Sequence, residues 1–226
     1  MDLSNYVNLQ NRLKSLKGGS KIGELLLVAF FAVMAIMGVV SLIQGEIIAG
    51  LVLAGIGGIA TFVFIRDTPK EKKAALESWS KLTAAELSHI DTESLSAPAF
   101  GNALVTSDAI VIKGAQGPHA YPARDILWVY GKQTNHKLYG VIPSGKTFEI
   151  LFLNRDGKTV TMPAPNAHKN RKAQNPLSED VAVILNVLRP KYPGIVFGYN
   201  QQVENLARRS IGELAALVDA RNAGQQ

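Results

Sequence analysis

The sequence predicts an α+β membrane protein, in which a two-helix transmembrane hairpin precedes a cytoplasmic antiparallel β domain closed by a helix. Three observations lead to this prediction. Two long apolar stretches lie near the N-terminus, separated by a short polar connector. Residues 104–162 then alternate between apolar and polar side chains with the two-residue period of β-strands. A capped amphipathic helix and a helical tail follow.

The apolar stretches are residues 22–43 and 47–65, and Glu24 at the edge of the first is their only charge. Because a helix rises about 1.5 Å per residue, some 20 apolar residues cross a hydrocarbon core of about 30 Å. A signal peptide would be shorter and would not be followed at once by a second span. The core helices of soluble proteins rarely stay apolar on every face. We therefore predict a hairpin over residues 22–65.

Basic residues flank both outer ends of this hairpin: Arg12, Lys14, Lys17 and Lys21 precede it, and Arg66, Lys70, Lys72 and Lys73 follow it. The connector at 44–46 has no basic residue. Basic residues in short flanks favour the cytoplasmic side. The sequence thus predicts a multi-pass protein with both termini in the cytoplasm and the lipid bilayer as a partner.

Small residues recur every four positions in the second span, at Gly50, Ala54 and Gly58. Such a stripe lets two helices approach closely. It fits packing against the first span, and it also fits a seam between copies of a homo-oligomer.

The juxtamembrane segment 1–21 has apolar residues at helical spacing: Leu3, Tyr6, Leu9, Leu13 and Leu16. An amphipathic helix here would lie on the inner membrane surface or pack on the cytoplasmic domain.

Residues 66–99 read as a helical linker with two capping boxes, Thr68–Glu71 and Thr83–Glu86. The first predicts a helix over 68–81 with Pro69 at its first position. The second predicts a short helix near His89, with a loop over 94–101.

Residues 100–190 form the predicted β domain, with strands over 104–113, 126–131, 138–142, 147–154 and 159–162. Tight turns are expected at 143–146 and at Asp156–Gly157. Short connections favour an antiparallel meander. Ser178 is the expected cap of the closing helix, which Pro190 ends. Residues 191–226 should add a short strand at 195–199 and two short helices, the second capped at Ser210.

Two stretches, LVTSDAIVIKG at 104–114 and YPARDILWVYG at 121–131, resemble bacterial pleckstrin-homology-like (PH-like) domains. The resemblance covers residues 100–190 and implies an antiparallel barrel capped by its C-terminal helix. The whole chain resembles small bacterial membrane proteins in which a transmembrane hairpin precedes such a domain, which implies the bacterial cytoplasmic membrane. Phosphoinositide-binding members carry a Lys-x-Arg pattern in their first hairpin. The corresponding KGAQGPHAYPAR lacks it, so inositol-lipid binding is not implied.

Residues 140–147 match the phosphate-binding P-loop pattern through Gly140, Gly145, Lys146 and Thr147. That chemistry needs a helix beginning at the lysine, so that backbone N–H groups hold the phosphates. Here the residues after Lys146 alternate as a strand and reach the turn at Asp156–Gly157. We therefore expect a chance match in which Lys146 enters a β-ladder and binds no nucleotide.

The remaining composition favours no cofactor, metal site or catalytic set. Cysteine is absent, which excludes thiol nucleophiles and cysteine-bound zinc. The four histidines have no metal-site spacing, and no serine lies in a G-x-S-x-G motif. Residues 1–73 carry 8 basic and 5 acidic residues, and the rest carry 16 and 13, so each part is only about +3. Nucleic acid is therefore not an expected partner.

Two basic clusters remain: Lys132, His136 and Lys137, and, beside His168, Lys169, Arg171 and Lys172. They are either solvated loops or contacts for anionic lipid headgroups or a partner.

The first hypothesis is a non-enzymatic interaction module that docks a protein partner or a second copy at the membrane. It follows from the predicted membrane anchor, the predicted binding scaffold and the lack of a recognisable catalytic set. The second is an accessory subunit of a membrane transport or secretion complex. The third is a nucleotide-dependent enzyme using residues 140–147.

Overall fold

The computed structural model describes residues 5–16, 21–138, 142–172 and 174–224. The chain divides into two compact units. The hairpin unit comprises Gly18–Ser78 with Lys113–His119, and the α+β unit comprises Met1–Lys17, Trp79–Ile112 and Ala120–Gln226.

The hairpin unit is built on α2 (Lys21–Ile43) and α3 (Ile47–Ser80), joined by a tight turn in which Gly45 has a φ of +89°. Both helices are long and apolar enough, by length and composition, to cross a membrane. Large apolar side chains point outward along their length, and only 6% and 11% of the residues in the two most apolar windows are buried.

The helix expected to begin at Thr68 is instead the continuation of α3, which passes through Pro69 without a break. The Thr68 hydroxyl donates to the carbonyl oxygen of Phe64 at 2.7 Å and caps nothing. A proline removes only one backbone hydrogen bond from a helix, and helix-forming residues on both sides continue it here.

The two helices of the hairpin unit approach most closely at glycines. A Cβ on Gly38 would lie 2.2 Å from the Ala54 nitrogen, and one on Gly50 would lie 2.8 Å from the Gly38 oxygen. Gly57, not the predicted Gly58, continues this contact, since a Cβ on Gly57 would meet Ala35 at 2.5 Å. Gly58 has no atom within 4 Å of its Cβ position. Gly57 lies seven residues, nearly two helical turns, after Gly50, and so returns to the side of α3 that faces α2. Gly58 lies one residue further round the helix and is turned away from that contact.

The α+β unit has an α+β fold with two four-stranded sheets, ordered β1-β2-β3-β4 and β7-β6-β5-β8. The pairs β1–β2, β2–β3, β5–β6 and β6–β7 are antiparallel, and β8 joins β5 in parallel. In the described residues the ladders do not close into one barrel. The strands are β1 (Ala99–Phe100), β2 (Ala103–Val105), β3 (Ala109–Lys113), β4 (Pro118–Pro122), β5 (Ile126–Leu138), β6 (Ile142–Asn154), β7 (Thr159–Pro163) and β8 (Val196–Phe197). The helices are α1 (Val7–Ser15), α4 (Ala84–Glu93), α5 (Pro165–Lys169), α6 (Ser178–Leu188), α7 (Gln201–Arg209) and α8 (Ile211–Ala223).

Several predicted strand boundaries are corrected. The single strand expected over 104–113 is two, because Thr106 turns the chain: its hydroxyl and its N–H both bond the Ala109 carbonyl. Residues 143–146 form no turn but lie inside β6, with an irregularity in the β5–β6 register between His136 and Lys137. The link from β5 to β6 is 139–141, outside the described residues. The turn at Asp156–Gly157 is confirmed, with Gly157 at a φ of +77°.

One apolar cluster is shared by the inner faces of both sheets and by α6. From the second sheet it takes alternate residues of β6, which are Phe148, Ile150 and Phe152. From α6 it takes Ile184 and Leu188, and from the first sheet it takes residues of β1, β2 and β3. Burying these side chains supplies the main hydrophobic stabilisation of the unit.

A second cluster covers the outer face of the first sheet with α1, α4 and Trp79. Leu9 and Leu13 of α1, and Leu16 directly after it, are buried in this cluster, so α1 packs on the α+β unit. Leu3 lies outside the described residues. Asp91 of α4 holds α1 in place by accepting the Leu9 N–H at 2.8 Å.

A third cluster covers the outer face of the second sheet with α7 and α8, the two predicted tail helices. Trp128 is buried there, and its indole N–H donates to the Gly198 carbonyl at 2.7 Å. Arg155 makes a two-pronged ion pair with Asp219 of α8, and this hydrogen bonding lowers the pKa of Asp219.

Asp180 links α5 to α6 and is fully buried. Its carboxylate accepts the backbone N–H groups of Asn166, at 3.2 Å, and Ala167, at 2.8 Å. Burial raises the pKa of Asp180, although these donors oppose the rise. Ser178 does not cap α6 as predicted, because its hydroxyl donates to the Asn175 carbonyl. The short helix α5 lies between β7 and α6.

We expect Gly38→Ala to destabilise the hairpin by about 2 kcal/mol, since the added methyl group would overlap the Ala54 backbone. Thermal unfolding of the full chain in mild detergent, followed by far-ultraviolet circular dichroism, measures the loss. Gly58→Ala is the matched control and should not destabilise, because its Cβ position is open. Equal losses in the two variants would contradict this helix contact.

We expect Asp180→Asn to lower the free energy of unfolding by about 1–3 kcal/mol, because it replaces one of the two accepting oxygens with an NH₂ group, which cannot accept the N–H that faces it. Denaturant unfolding followed by tryptophan fluorescence reports on this unit, since Trp79 and Trp128 both belong to it. Glu179→Gln, at the exposed neighbouring position, should change the value by less than about 0.5 kcal/mol. An unchanged midpoint for Asp180→Asn would refute the role of this carboxylate.

Candidate functional site

Asp108, in the turn between β2 and β3, is a buried carboxylate with 1% of its surface exposed. His89 of α4 places Nδ1 2.5 Å from Asp108 Oδ2. Lys191, after α6, forms an ion pair with the other carboxylate oxygen. The hydrogen bond from Lys191 to Asp108 raises the pKa of Lys191. The carboxylate therefore ties α4, the first sheet and the end of α6 together.

A second ion pair, between Arg124 and Glu86, lies close to this network. Glu86 also completes the predicted capping box of α4, accepting the Thr83 N–H at 2.7 Å. Burial alone would raise the pKa of Glu86, but the Thr83 N–H and Arg124 outweigh it and lower that pKa. The carboxylate is thus held ionised at a helix start, which is a structural role.

Ser107, His89 and Asp108 have the residue types of a hydrolytic triad but not its arrangement. The Ser107 hydroxyl and the Asp108 carboxylate both approach the same ring nitrogen, Nδ1, at 3.5 Å and 2.5 Å. A triad requires them on opposite ring nitrogens, so that the histidine can relay a proton. The Ser107 hydroxyl donates instead to Glu93 at 2.9 Å. This cluster stabilises a turn and gives serine no activated base.

The P-loop-like match is found in a strand context. Gly145, Lys146 and Thr147 lie in β6 and pair with His136, Asn135 and Thr134 of β5. Gly140 lies outside the described residues. Because β6 runs on to Asn154, no helix begins at Lys146 to direct N–H groups at a phosphate.

The described histidines do not converge, and no group of three or more metal-ligating side chains occurs among the described residues. His136 Nε2 lies 2.6 Å from the Thr147 hydroxyl, across the β5–β6 ladder. The His168 ring meets the Phe148 ring edge-on, at 5.4 Å between centroids.

The β5–β6 ladder extends beyond the rest of its sheet as a two-stranded ribbon. β7 pairs only with residues 149–153, and β8 only with Trp128 and Val129. Residues 132–138 and 142–147 are thus paired only with each other within the sheet. Lys132, His136, Lys137 and Lys146 are all exposed on this ribbon.

Strand alternation sorts these ribbon residues onto two faces. Lys146 is two residues from Phe148 and shares its face, the one that faces α5. Asn135 of β5 is the cross-strand partner of Lys146 and therefore lies on the same face. Lys137 is two residues after Asn135 on the same strand, so it lies on that face as well. Lys132 and His136 lie on the opposite face, where Lys132 is the cross-strand partner of Glu149. The predicted cluster of Lys132, His136 and Lys137 is therefore divided.

The loop between α5 and α6 carries the second predicted cluster and sits at the base of the ribbon. His168 contacts Phe148, and a Cβ on Gly131 would meet Leu177 at 2.8 Å. Lys169, Arg171 and Lys172 border an open depression of about 570 Å³. Glu179, also on its rim, accepts a hydrogen bond from Asn170 at 2.9 Å.

The fold thus assembles one basic face from two separate segments: Lys137, Lys146, Lys169, Arg171 and Lys172. All five side chains are exposed. Within the described parts of the chain, no carboxylate lies within ion-pair distance of any of them. Four of these residues belong to the two basic clusters of the sequence, and Lys146 belongs to its P-loop-like match.

No family model, curated protein or solved structure is significantly similar to this chain. Its function is therefore inferred from the geometry of its own residues.

We expect Asp108→Asn to lower the free energy of unfolding by about 2–3 kcal/mol, because it removes the charge that pairs with Lys191 and His89. Because the pKa of Lys191 is raised, this pair stabilises the fold fully below the ordinary lysine pKa of about 10.4, and the contribution is lost as the pH rises through the higher pKa of folded Lys191. Denaturant unfolding at pH 7 and pH 11.5, followed by tryptophan fluorescence, should show a smaller deficit for the variant at the higher pH.

Glu213→Gln, which removes an exposed carboxylate paired with Arg209 in the same unit, is the control and should change stability by less than about 0.5 kcal/mol. A deficit of the same size at both pH values would show that the ion pair contributes nothing.

Proposed function

We propose that this chain is a non-enzymatic interaction module of the bacterial cytoplasmic membrane. In this proposal the hairpin crosses the bilayer twice and anchors a PH-like unit at the inner face. There the unit docks a protein partner or a second copy of the chain.

The observation that carries the proposal is the uncovered apolar surface of the hairpin unit. Its side chains contact each other at the glycines, and the outward faces of α2 and α3 stay exposed over both candidate spans. Exposing apolar surface to water costs about 25 cal/mol per Å². A core helix of a soluble protein would be mostly buried, and these helices are not. A bilayer supplies the missing apolar surroundings.

The two-pass topology is supported by the position of α1. This helix precedes the hairpin in the chain, yet it packs against α4, which follows the hairpin. Both ends of the hairpin must then leave any bilayer on the same side, because a folded cluster cannot be divided by a membrane. The basic flanks of the hairpin favour the cytoplasmic side.

The PH-like identity is supported by the order of the elements in the α+β unit. Antiparallel strands build two sheets over a common core, and α6 then packs on that core. The resemblance of residues 100–190 implies an antiparallel barrel capped by its C-terminal helix. The helix-capped common core supports this proposal, while the described ladders form two sheets and do not close into a barrel. The best-formed polar cluster, around Asp108, stabilises a turn, which favours a binding role over catalysis.

A second candidate function, accessory subunit of a transport or secretion complex, is favoured by Gly55 and Gly58. Both have open Cβ positions on the outward side of α3. Small residues on such a face allow another membrane helix to approach closely. Purification in mild detergent followed by mass spectrometry separates the candidates, because a subunit would be recovered with other membrane proteins in fixed ratio.

We expect cytoplasmic reporters fused after Lys21 and after Lys73 to be active, and periplasmic reporters at the same positions to be silent. A reporter inserted at Gly45, in the α2–α3 turn, should give the opposite pattern and serves as the internal control. Alkaline carbonate should leave the full chain in the membrane fraction. A periplasmic signal after Lys21 or Lys73, or release by carbonate, would refute the proposed anchor.

A further inference from the structure

We infer that the basic face, Lys137, Lys146, Lys169, Arg171 and Lys172, binds the phosphates of anionic lipid headgroups at the surface of the bilayer. This inference rests on the proposed function, because it needs the α+β unit to be tethered to a membrane. It assigns to a lipid surface Lys146, which belongs to the P-loop-like match at residues 140–147.

The first argument is the placement of the charges. Phe148 contacts His168, and Lys146 lies two residues, about 7 Å of strand, further along β6 on the same face. The ribbon therefore projects its lysines beside Lys169 and the depression. Such an extended basic face can reach phosphate oxygens of several headgroups at once. It therefore fits a lipid surface better than a single enclosed ligand.

The second argument is the absence of competing charge. Between Lys132 and Thr147 the sequence has no acidic residue. Glu149 points to the opposite face, and Glu179 is bonded to Asn170. The positive charge of the face is thus not neutralised locally, and each basic residue near an anionic surface strengthens binding about fivefold.

The third argument excludes the other uses of such a ribbon. Among the described strands, neither β7 nor β8 pairs with the ribbon, so a peptide strand could add to either of its edges. Lysines along an exposed edge disfavour that pairing. Nucleic-acid binders commonly neutralise about 6–10 phosphates, more than these cations can. A tethered unit, in contrast, meets anionic headgroups at high effective concentration.

The test uses the full chain in nanodiscs of phosphatidylcholine containing increasing fractions of phosphatidylglycerol. Because the chain has no cysteine, Asn175→Cys on the rim of the depression takes one environment-sensitive fluorophore. We expect a blue shift that grows with the phosphatidylglycerol fraction and is reversed by 0.5 M salt, which is about the concentration that shortens screening to a few ångströms.

Neutralising two lysines of the face, with Lys137→Gln and Lys146→Gln together, should weaken the phosphatidylglycerol response by roughly 30-fold. The matched control, Lys132→Gln with Lys158→Gln, removes the same charge from the opposite face and from the β6–β7 turn, and should change it less than about threefold. Unchanged tryptophan emission shows that both variants are folded.

An equal response in pure phosphatidylcholine discs, or equal effects of the two double variants, would overturn the inference. So would binding of magnesium–ATP or a single-stranded oligonucleotide in those discs that requires Lys146. Failure of the chain to enter nanodiscs at all would instead overturn the proposed membrane anchor, so the two failures are distinguishable.

Discussion

The pairing of β5 with β6 is the interaction on which the rest of the α+β unit depends. Over its first half the ladder presents Phe148, Ile150 and Phe152 to the shared core and Trp128 to the tail helices. Over its second half the neighbouring strands have ended, and the same alternation presents charged side chains to solvent on both faces. A slip of one residue would exchange the two faces along the whole ladder, so the buried phenylalanines fix the position of the lysines beyond them.

The sequence predicted best those elements whose signals are local. Asp156–Gly157 makes a turn because glycine accepts a positive φ, and Thr83–Glu86 makes a capping box because both partners lie within one helical turn. The same local pattern at Thr68 wrongly predicts a helix start, because α3 continues through Pro69. The helix-forming residues on either side of Pro69 outweigh the one lost hydrogen bond. Gly57 replaces Gly58 for a similar reason, because the partner helix decides which glycine is in contact.

The contacts that determine the candidate site are long-range, and no local pattern contains them. Asp108 lies 83 residues from Lys191, and Asp180 serves N–H groups 13 and 14 residues before it. The basic face depends on the contact between Phe148 and His168 and on the end of β7 before the ribbon. Composition could identify the basic residues. It could not show that Lys137 and Lys132 lie on opposite faces, since that follows from the register of the ladder.

The docking of α1 has a consequence for the order in which the chain acquires its structure during synthesis. The Leu9 N–H bonds to Asp91, 82 residues later, and the whole hairpin lies between them. At about 5–20 residues per second, a ribosome takes several seconds to make that stretch. During this interval the α4 residues of the second cluster have not yet been made, while the two apolar helices of the hairpin emerge. The second cluster can therefore be completed only after the whole hairpin and α4 have been synthesised, so this part of the core depends on chain on both sides of the hairpin.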